Sequence, residues 1–334
     1  MSQNPRHIVI SDEEHALPYS KGLMASSIMA TGLAPARAFH VAERIEERLH
    51  ERATDSITRA ELAELAYQVL VTEVGLRYAD SFTKWQVVNR LDRPLIIVIG
   101  GATGVGKSTL ATQLAGRLGI TRIIPSDAIR EVMRAMFTEE LMPTLHTSSF
   151  DAVHLVRHPL PRSSDPVIIG FREQAAAVAV GAHALMRRAV IEGTDLILEG
   201  AHLAPGFYDP AEFGGAVVVP MVITVDDEEV HRSHFLARAH ESRSRPSERY
   251  LDFFDNIRKI QRYVKSLALE RGVPIVPSYS LDSTLSQVIE LVVSRAVQAI
   301  PTQNGSRPAS REGMAQQADR ANAAGPIGGQ RTDE

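Results

Sequence analysis

Eight consecutive residues, Gly101-Ala102-Thr103-Gly104-Val105-Gly106-Lys107-Ser108, follow the pattern G-x-x-x-x-G-K-[ST], with Thr109 directly after them. Each residue type has a chemical reason. Glycines let the backbone curl until successive N–H groups converge on a phosphate. A helix starting at the end of the loop adds the positive end of its dipole. Lys107 supplies a point charge for the β- and γ-phosphates, and the Ser108 hydroxyl is a ligand for Mg²⁺. The apolar run before the loop and the amphipathic segment after it give the strand–loop–helix context that the pattern requires. Residues 101–109 are therefore read as a nucleotide-phosphate cradle for ATP and Mg²⁺. Kinases, motors, switches and sensors all use such loops, so the fate of the γ-phosphate must be read elsewhere.

The next chemistry-bearing run is Ser126-Asp127-Ala128-Ile129-Arg130, followed by Glu131 and Arg134. In an open parallel sheet, ligands gather at the carboxyl ends of the strands, which sets Asp127 beside the phosphate loop. A carboxylate there can take the proton of an attacking hydroxyl. Arg130 follows one helical turn on, where a planar fork can clamp an acidic acceptor. The other reading is structural: Ser126 or Asp127 caps a helix, and both arginines lie on a solvated face. Taken from these residues alone, the two readings stand level. Glu199 ends an apolar run and reads either as a site carboxylate or as a strand-end acid facing solvent. His154 with His158, and His231 with His234, have spacings that suggest metal ligands, but neither pair completes a metal motif. They are read as structural histidines.

The elements that must position these residues fall into three parts. Residues 1–92 predict a small helical unit, with helices from Lys21 to a stop at Gly32, from Pro35 to about Arg52, from a Thr58–Glu61 capping box to Gly75, and on to Val88. Residues 93–300 alternate short apolar runs with longer amphipathic ones, the pattern of a parallel sheet flanked by helices. Strands are expected at 95–99, 121–124, 196–198, 217–225 and 274–276, and helices at 107–118, 128–137, 166–192, 228–240, 247–271 and 281–297. Residues 301–334 are rich in Gly, Ala, Gln, Pro and Ser without apolar periodicity and are expected to be a disordered tail.

Composition bounds the chemistry from outside. The 334 residues include no cysteine, which excludes disulfide scaffolds, thiol nucleophiles and cysteine-ligated metal centres. The net charge of −4 argues against generic nucleic-acid binding, because phosphate neutralisation needs a basic face. No apolar run is long enough to span a membrane, and a cytoplasmic location is expected. Oligomeric state is left open.

Several runs resemble the 2-phosphoglycerate kinase family. They are residues 100–109, Ser126-Asp127-Ala128-Ile129-Arg130-Glu131-Val132-Met133-Arg134, Pro143-Thr144-Leu145-His146-Thr147-Ser148-Ser149, Gly170-Phe171-Arg172-Glu173-Gln174, and residues 196–206. The block from Pro143 to Ser149 is not a general feature of phosphate-loop proteins and carries much of the weight. The Ser-Asp-x-x-Arg element also resembles polynucleotide kinases. The resemblance implies an α/β fold: a P-loop kinase core with a five-stranded, mostly parallel sheet, and a small N-terminal helical domain like an ATP-cone. Leu17-Pro18-Tyr19-Ser20-Lys21-Gly22 looks like that module's entry segment.

For the site, the resemblance implies that Asp127 is the general base and that Lys107 holds the transferring phosphoryl group. Arg130, Arg134 and Arg172 would meet the acceptor's carboxylate and phosphate, and His146, Glu199 and His202 would make further substrate contacts. Glu199 departs from the aspartate usual at the second nucleotide motif, and as a site carboxylate it would hold Mg²⁺ through water or orient the acceptor. By likeness to small-molecule kinases, Arg238, Arg243, Arg245 and Arg249 form a lid set, one or two of which reach the phosphates; the plainer reading is a solvated charge run. The implied partner is a small phosphorylated hydroxy acid, most naturally 2-phosphoglycerate giving 2,3-bisphosphoglycerate. The alternatives are a polynucleotide-end or other phosphometabolite kinase, and a non-catalytic ATP sensor.

Overall fold

The computed structural model describes residues 8–11, 16–52, 56–88, 91–156, 163–241 and 247–299. Described residues up to 299 fall in one compact unit. Its first part pairs three very short strands, β1 (Val9–Ser11), β2 (Ala16–Pro18) and β3 (Ser56–Thr58), in the order β2-β1-β3. Four helices accompany them: α1 (Lys21–Met29), α2 (Pro35–His50), α3 (Arg59–Glu73) and α4 (Leu76–Val88). Helices alone were expected here. Three-residue strands offer no alternation long enough to read, which is why the sheet is absent from the sequence reading. The expected capping box is present, with the Thr58 hydroxyl accepting from Glu61 N–H and the Glu61 carboxylate accepting from Thr58 N–H. Ile28, Val41, Ile45, Leu70 and Phe82 centre a separate apolar cluster in this part.

From Leu95 onward the chain builds five parallel strands, β4 (Leu95–Gly100), β5 (Ile123–Pro125), β6 (Leu196–Glu199), β7 (Val217–Thr224) and β8 (Ile275–Pro277), in the order β5-β6-β4-β7-β8. Between them run α5 (Lys107–Leu118), α6 (Ser126–Met136), α7 (Pro166–Glu192), α8 (Glu228–Glu241), α9 (Ser247–Asp252) and α10 (Phe254–Glu270), and α11 (Leu281–Gln298) follows β8. All six residues of β4 are buried because helices cover both faces, so the strand reads as an unbroken apolar run. Its side chains still divide by a period of two. Ile97 and Ile99 join Leu110, Leu114, Val264 and Val292 on one face, whereas Ile96 and Val98 join Ile129, Val178 and Met186 on the other.

One expected helix, 247–271, is two. The chain turns at Phe253, and both Tyr250 and Phe253 come to rest on the Phe150 ring, at centroid distances of 5.7 and 5.6 Å. Trp85 is buried against the sheet-side cluster together with Val88 and Ala30.

Candidate active site

Strand register decides what meets at the carboxyl edge of the sheet. Ile99 of β4 and Pro125 of β5 are both level with Glu199 of β6. The phosphate loop, the start of α6 and the Glu199 carboxylate therefore converge on one cleft of about 700 Å³. Thr103, Gly104, Gly106, Lys107 and Ser108 line one side of it. Asp127, Arg130, Glu131, Ser148 and Ser149 line the other, with Glu199, Arg249 and Tyr250 completing the wall.

On the loop side, Lys107 is buried and its Nζ donates to the Ala102 carbonyl at 2.7 Å. The Ser108 hydroxyl donates to Glu199 Oε1 at 2.7 Å, across 91 residues of sequence. Gly104 has φ +88°, and a Cβ there would lie 2.3 Å from the Phe235 ring. Only glycine allows both that conformation and that approach.

The opposite side is held by a buried chain of hydrogen bonds. Gln174 Nε2 donates to the carbonyls of Thr144 and Thr147, the latter at 3.0 Å. Its Oε1 therefore faces His202 Nε2, 3.0 Å away, and that nitrogen must carry the proton. His202 Nδ1 is left bare and accepts from the Ser126 hydroxyl at 2.8 Å. Burial pushes the His202 pKa down to about 4; nearby Asp127 opposes the shift, while Arg130 and Lys107 add to it. The neutral ring is the form that this chain of bonds requires. Gly200 makes room, since a Cβ there would stand 1.8 Å from Ser126 Oγ.

The expected site residues divide under this geometry. Asp127 lines the cleft with its side chain 70% exposed and Arg130 Nε 3.5 Å from its Oδ1. Arg130 also lines the cleft, yet its guanidinium is already engaged. Nη1 donates to the carbonyls of Leu145 and Thr147 at 2.9 and 3.1 Å, and Nη2 to Glu131 at 2.8 Å. It braces the 143–149 block against α6, which differs from the free clamp expected. Arg134 pairs with Glu131 at 3.4 Å, and Arg172 is exposed on α7; neither lines the cleft. His146 also stands outside it, its Nε2 donating to the Phe137 carbonyl at the end of α6. His202 sits behind the cleft wall rather than in it. Arg249 lines the cleft and donates to Asp151 at 3.3 Å. Arg243 and Arg245 lie outside the described residues, as does the side chain of Arg238.

Sequence reasoning missed Gln174, Ser126, Tyr250 and the serines Ser148 and Ser149 as parts of the site. Both serines lie in the family-like 143–149 block, where His146 is the residue whose type most suits a substrate contact. No local signal marks Gln174, because its partners are 27 to 30 residues away.

No protein-family model matches the chain. Curated relatives do. A 2-phosphoglycerate kinase of Methanothermobacter thermautotrophicus is 37% identical over 289 residues, covering 86% of this chain and 94% of the relative. Those of Thermococcus kodakarensis and Pyrococcus furiosus are 40% and 38% identical over 285 and 291 residues, covering 84% and 87% of this chain and 96% and 94% of theirs. The chain belongs to the 2-phosphoglycerate kinase family. It is an ATP-dependent phosphotransferase that works with Mg²⁺. A shikimate kinase structure from Bacteroides thetaiotaomicron aligns at 18% identity and a TM-score of 0.35, over 59% of this chain and 98% of that one, a likeness too slight to argue from.

The kinase's own residues fit both groups. The loop offers backbone amides and a buried cation to the nucleotide phosphates. The Ser108 hydroxyl and Glu199 carboxylate make an all-oxygen pair beside them, the donor chemistry that Mg²⁺ prefers when it shares phosphate oxygens. When bound, the ion would neutralise charge on the transferring phosphoryl group. No helix among the described residues of this kinase is long and apolar enough to cross a membrane.

Proposed function

We propose that the acceptor is 2-phosphoglycerate and the product 2,3-bisphosphoglycerate. The observation that carries this reading is that Asp127 shares one cleft with Lys107 and Ser108 of the phosphate loop. The acceptor hydroxyl lies between them. Asp127 takes its proton as the oxygen bonds to the γ-phosphorus, while the bond from that phosphorus to the β,γ-bridging oxygen breaks and ADP leaves with the electron pair. Asp127 is suited to the task by its exposure and by the Arg130 Nε that holds it from one side.

The acceptor's phosphate and carboxylate meet Arg249 and the hydroxyls of Ser148 and Ser149, whose backbone is fixed through Arg130 and Gln174. Arg134, Arg172 and His146 act at one remove, by shaping α6, α7 and the block between them. Of the lid set Arg238, Arg243, Arg245 and Arg249, one or two reach the phosphates. We place the enzyme in the cytoplasm, where ATP is supplied. The N-terminal part, residues 1–92, carries a nucleotide site of its own. In support, its apolar cluster is distinct, and Leu17, Pro18, Tyr19 and Ser20 line a cavity of about 430 Å³ within it.

Asp127→Asn tests the base. Turnover with 2-phosphoglycerate falls about 10³-fold while ATP binding stays within about twofold of wild type, the size of effect a positioned general base supplies. The assay runs over a panel of phosphorylated hydroxy acids and nucleic-acid ends, with ATP hydrolysis as background. Retained turnover removes Asp127 from the role, and a better acceptor elsewhere in the panel replaces 2-phosphoglycerate. Calorimetric titration of the same variant counts two nucleotides per chain if the N-terminal module binds one.

A further inference from the structure

The two histidines that the sequence left as structural both touch the phosphate loop. His231 Nε2 lies 2.8 Å from the Thr103 carbonyl, and His234 Nδ1 lies 2.9 Å from the Gly104 carbonyl. A carbonyl oxygen can only accept, so each of these ring nitrogens carries the proton. For His231 the other nitrogen says the same. Its Nδ1 faces Arg258 Nη1, a group that can only donate, at 3.4 Å. Arg258 is itself fixed by the carbonyls of Val225 and Asp226, at 2.6 and 2.8 Å, and by Glu228 at 3.3 Å from its Nε. Burial pushes the His231 pKa down to about 4, so the ring is neutral with its proton on Nε2. Phe235, one turn along α8, stacks on His231 with centroids 5.5 Å apart and closes the space over Gly104.

A trans peptide is planar, with its C=O and N–H pointing in opposite directions, and no described peptide here is cis. The Thr103 carbonyl shares its peptide with the Gly104 N–H, and the Gly104 carbonyl shares its peptide with the Val105 N–H. Drawing both carbonyls toward α8 turns both N–H groups away from α8, and no described residue of α8 lines the cleft that Thr103 and Gly104 border. Donation to a carbonyl also polarises its peptide and strengthens the N–H as a donor. We propose that His231 and His234 are positioning residues for ATP, which set the Gly104 and Val105 amides toward the bound phosphates before the nucleotide arrives. The proposal rests on the phosphate loop binding ATP. It gives α8 a function that no contact with the substrate would reveal.

The two rings use different nitrogens, so their conservative replacements differ. An Asn amide reaches the place of Nδ1, and a Gln amide reaches that of Nε2. His234 is half-buried and tolerates truncation better than the fully buried His231. Calorimetric titration with ATP and steady-state kinetics are run on wild type, His234→Ala, His234→Asn and His231→Gln. The expected result is an ATP Kd about five- to tenfold weaker in His234→Ala, the size of one lost hydrogen bond. The KM for the acceptor stays unchanged, and His234→Asn and His231→Gln remain within about threefold of wild type. The proposal is overturned if His234→Ala binds ATP as wild type does, if the acceptor KM rises in step with the ATP KM, or if His234→Asn is no better than His234→Ala. A wild-type chain that binds no ATP would sink the loop's assignment itself, an outcome distinct from those three.

Discussion

The two walls of the cleft are built on opposite principles. The loop wall is a run of consecutive residues in which backbone does most of the work, and its geometry follows from glycines and a helix start. The acceptor wall is made of side chains gathered from α6, the 143–149 block, α7 and the end of β6. Its bonds close over 15 to 76 residues of sequence. The first wall tolerates almost no change in its backbone, which His231 and His234 hold from behind without entering the cleft. The second depends on each of several distant partners being present together. The loop wall should therefore fail abruptly at one position, and the acceptor wall by degrees at many.

Gly104→Ala is the sharpest way to break the loop wall. A Cβ there would sit 2.3 Å from the Phe235 ring, on a backbone with φ +88°. Neither the buried ring nor the loop can give without tilting the amides on either side. ATP binding should fall by roughly 10³-fold, the penalty of strain and overpacking together. Acceptor binding to the variant, measured separately by titration, should persist. Loss of both would show that the walls are not independent.

That contrast also explains what could be read in advance. The loop and the five strands were legible because a contiguous motif and unbroken apolar runs are local signals. Helix α7 was read with its observed ends because Pro166 opens it and Gly193 closes it. The place of Asp127 at the cleft was legible from a strand end followed by a helix. Arg134, Arg172 and His146 were drawn toward the substrate because their types suit it. Which face of a helix an arginine takes is settled by packing, and in α7 it is Gln174 that turns inward while Arg172 faces out. His231 and His234 are the opposite case, structural histidines whose partners no spacing reveals. Their spacing was weighed only for metal binding, and the loop carbonyls they hold lie 128 and 130 residues earlier.

Gln174→Leu tests the acceptor wall by keeping shape while deleting its central amide. The Thr144 carbonyl and the His202 Nε2–H lose their partner inside the protein, while the Thr147 carbonyl keeps only Arg130. At roughly 1 to 3 kcal/mol for each buried group left unpaired, partly relieved by relaxation, stability should drop by about 3 to 4 kcal/mol. The released 143–149 block should raise the acceptor KM about tenfold, with the ATP Kd within about twofold of wild type. Chemical denaturation and a two-substrate kinetic matrix give both numbers. An ATP Kd that weakens as much as the acceptor KM rises would erase the distinction between the walls.

The smallest effect expected is one the walls share. Each holds a buried neutral histidine, His202 behind the acceptor and His231 behind the loop, and burial pushes both to about 4 from an ordinary 6.5. Both folded-state values are depressed, so the unfolded chain takes up protons first as pH falls. Stability contributed by neutrality is complete above about pH 6.5, declines below it, and levels off once the folded rings also titrate near 4. By pH 5 each histidine should account for about 2 kcal/mol of lost stability, above the range where most carboxylates respond. Urea midpoints at pH 7.5, 6.0 and 5.0 measure this directly. His202→Gln should remove about half of the decline and leave the half belonging to His231. A decline that His202→Gln leaves untouched would mean that the buried chain through Gln174 does not hold its histidine neutral. The acceptor wall would then owe its order to Arg130 instead.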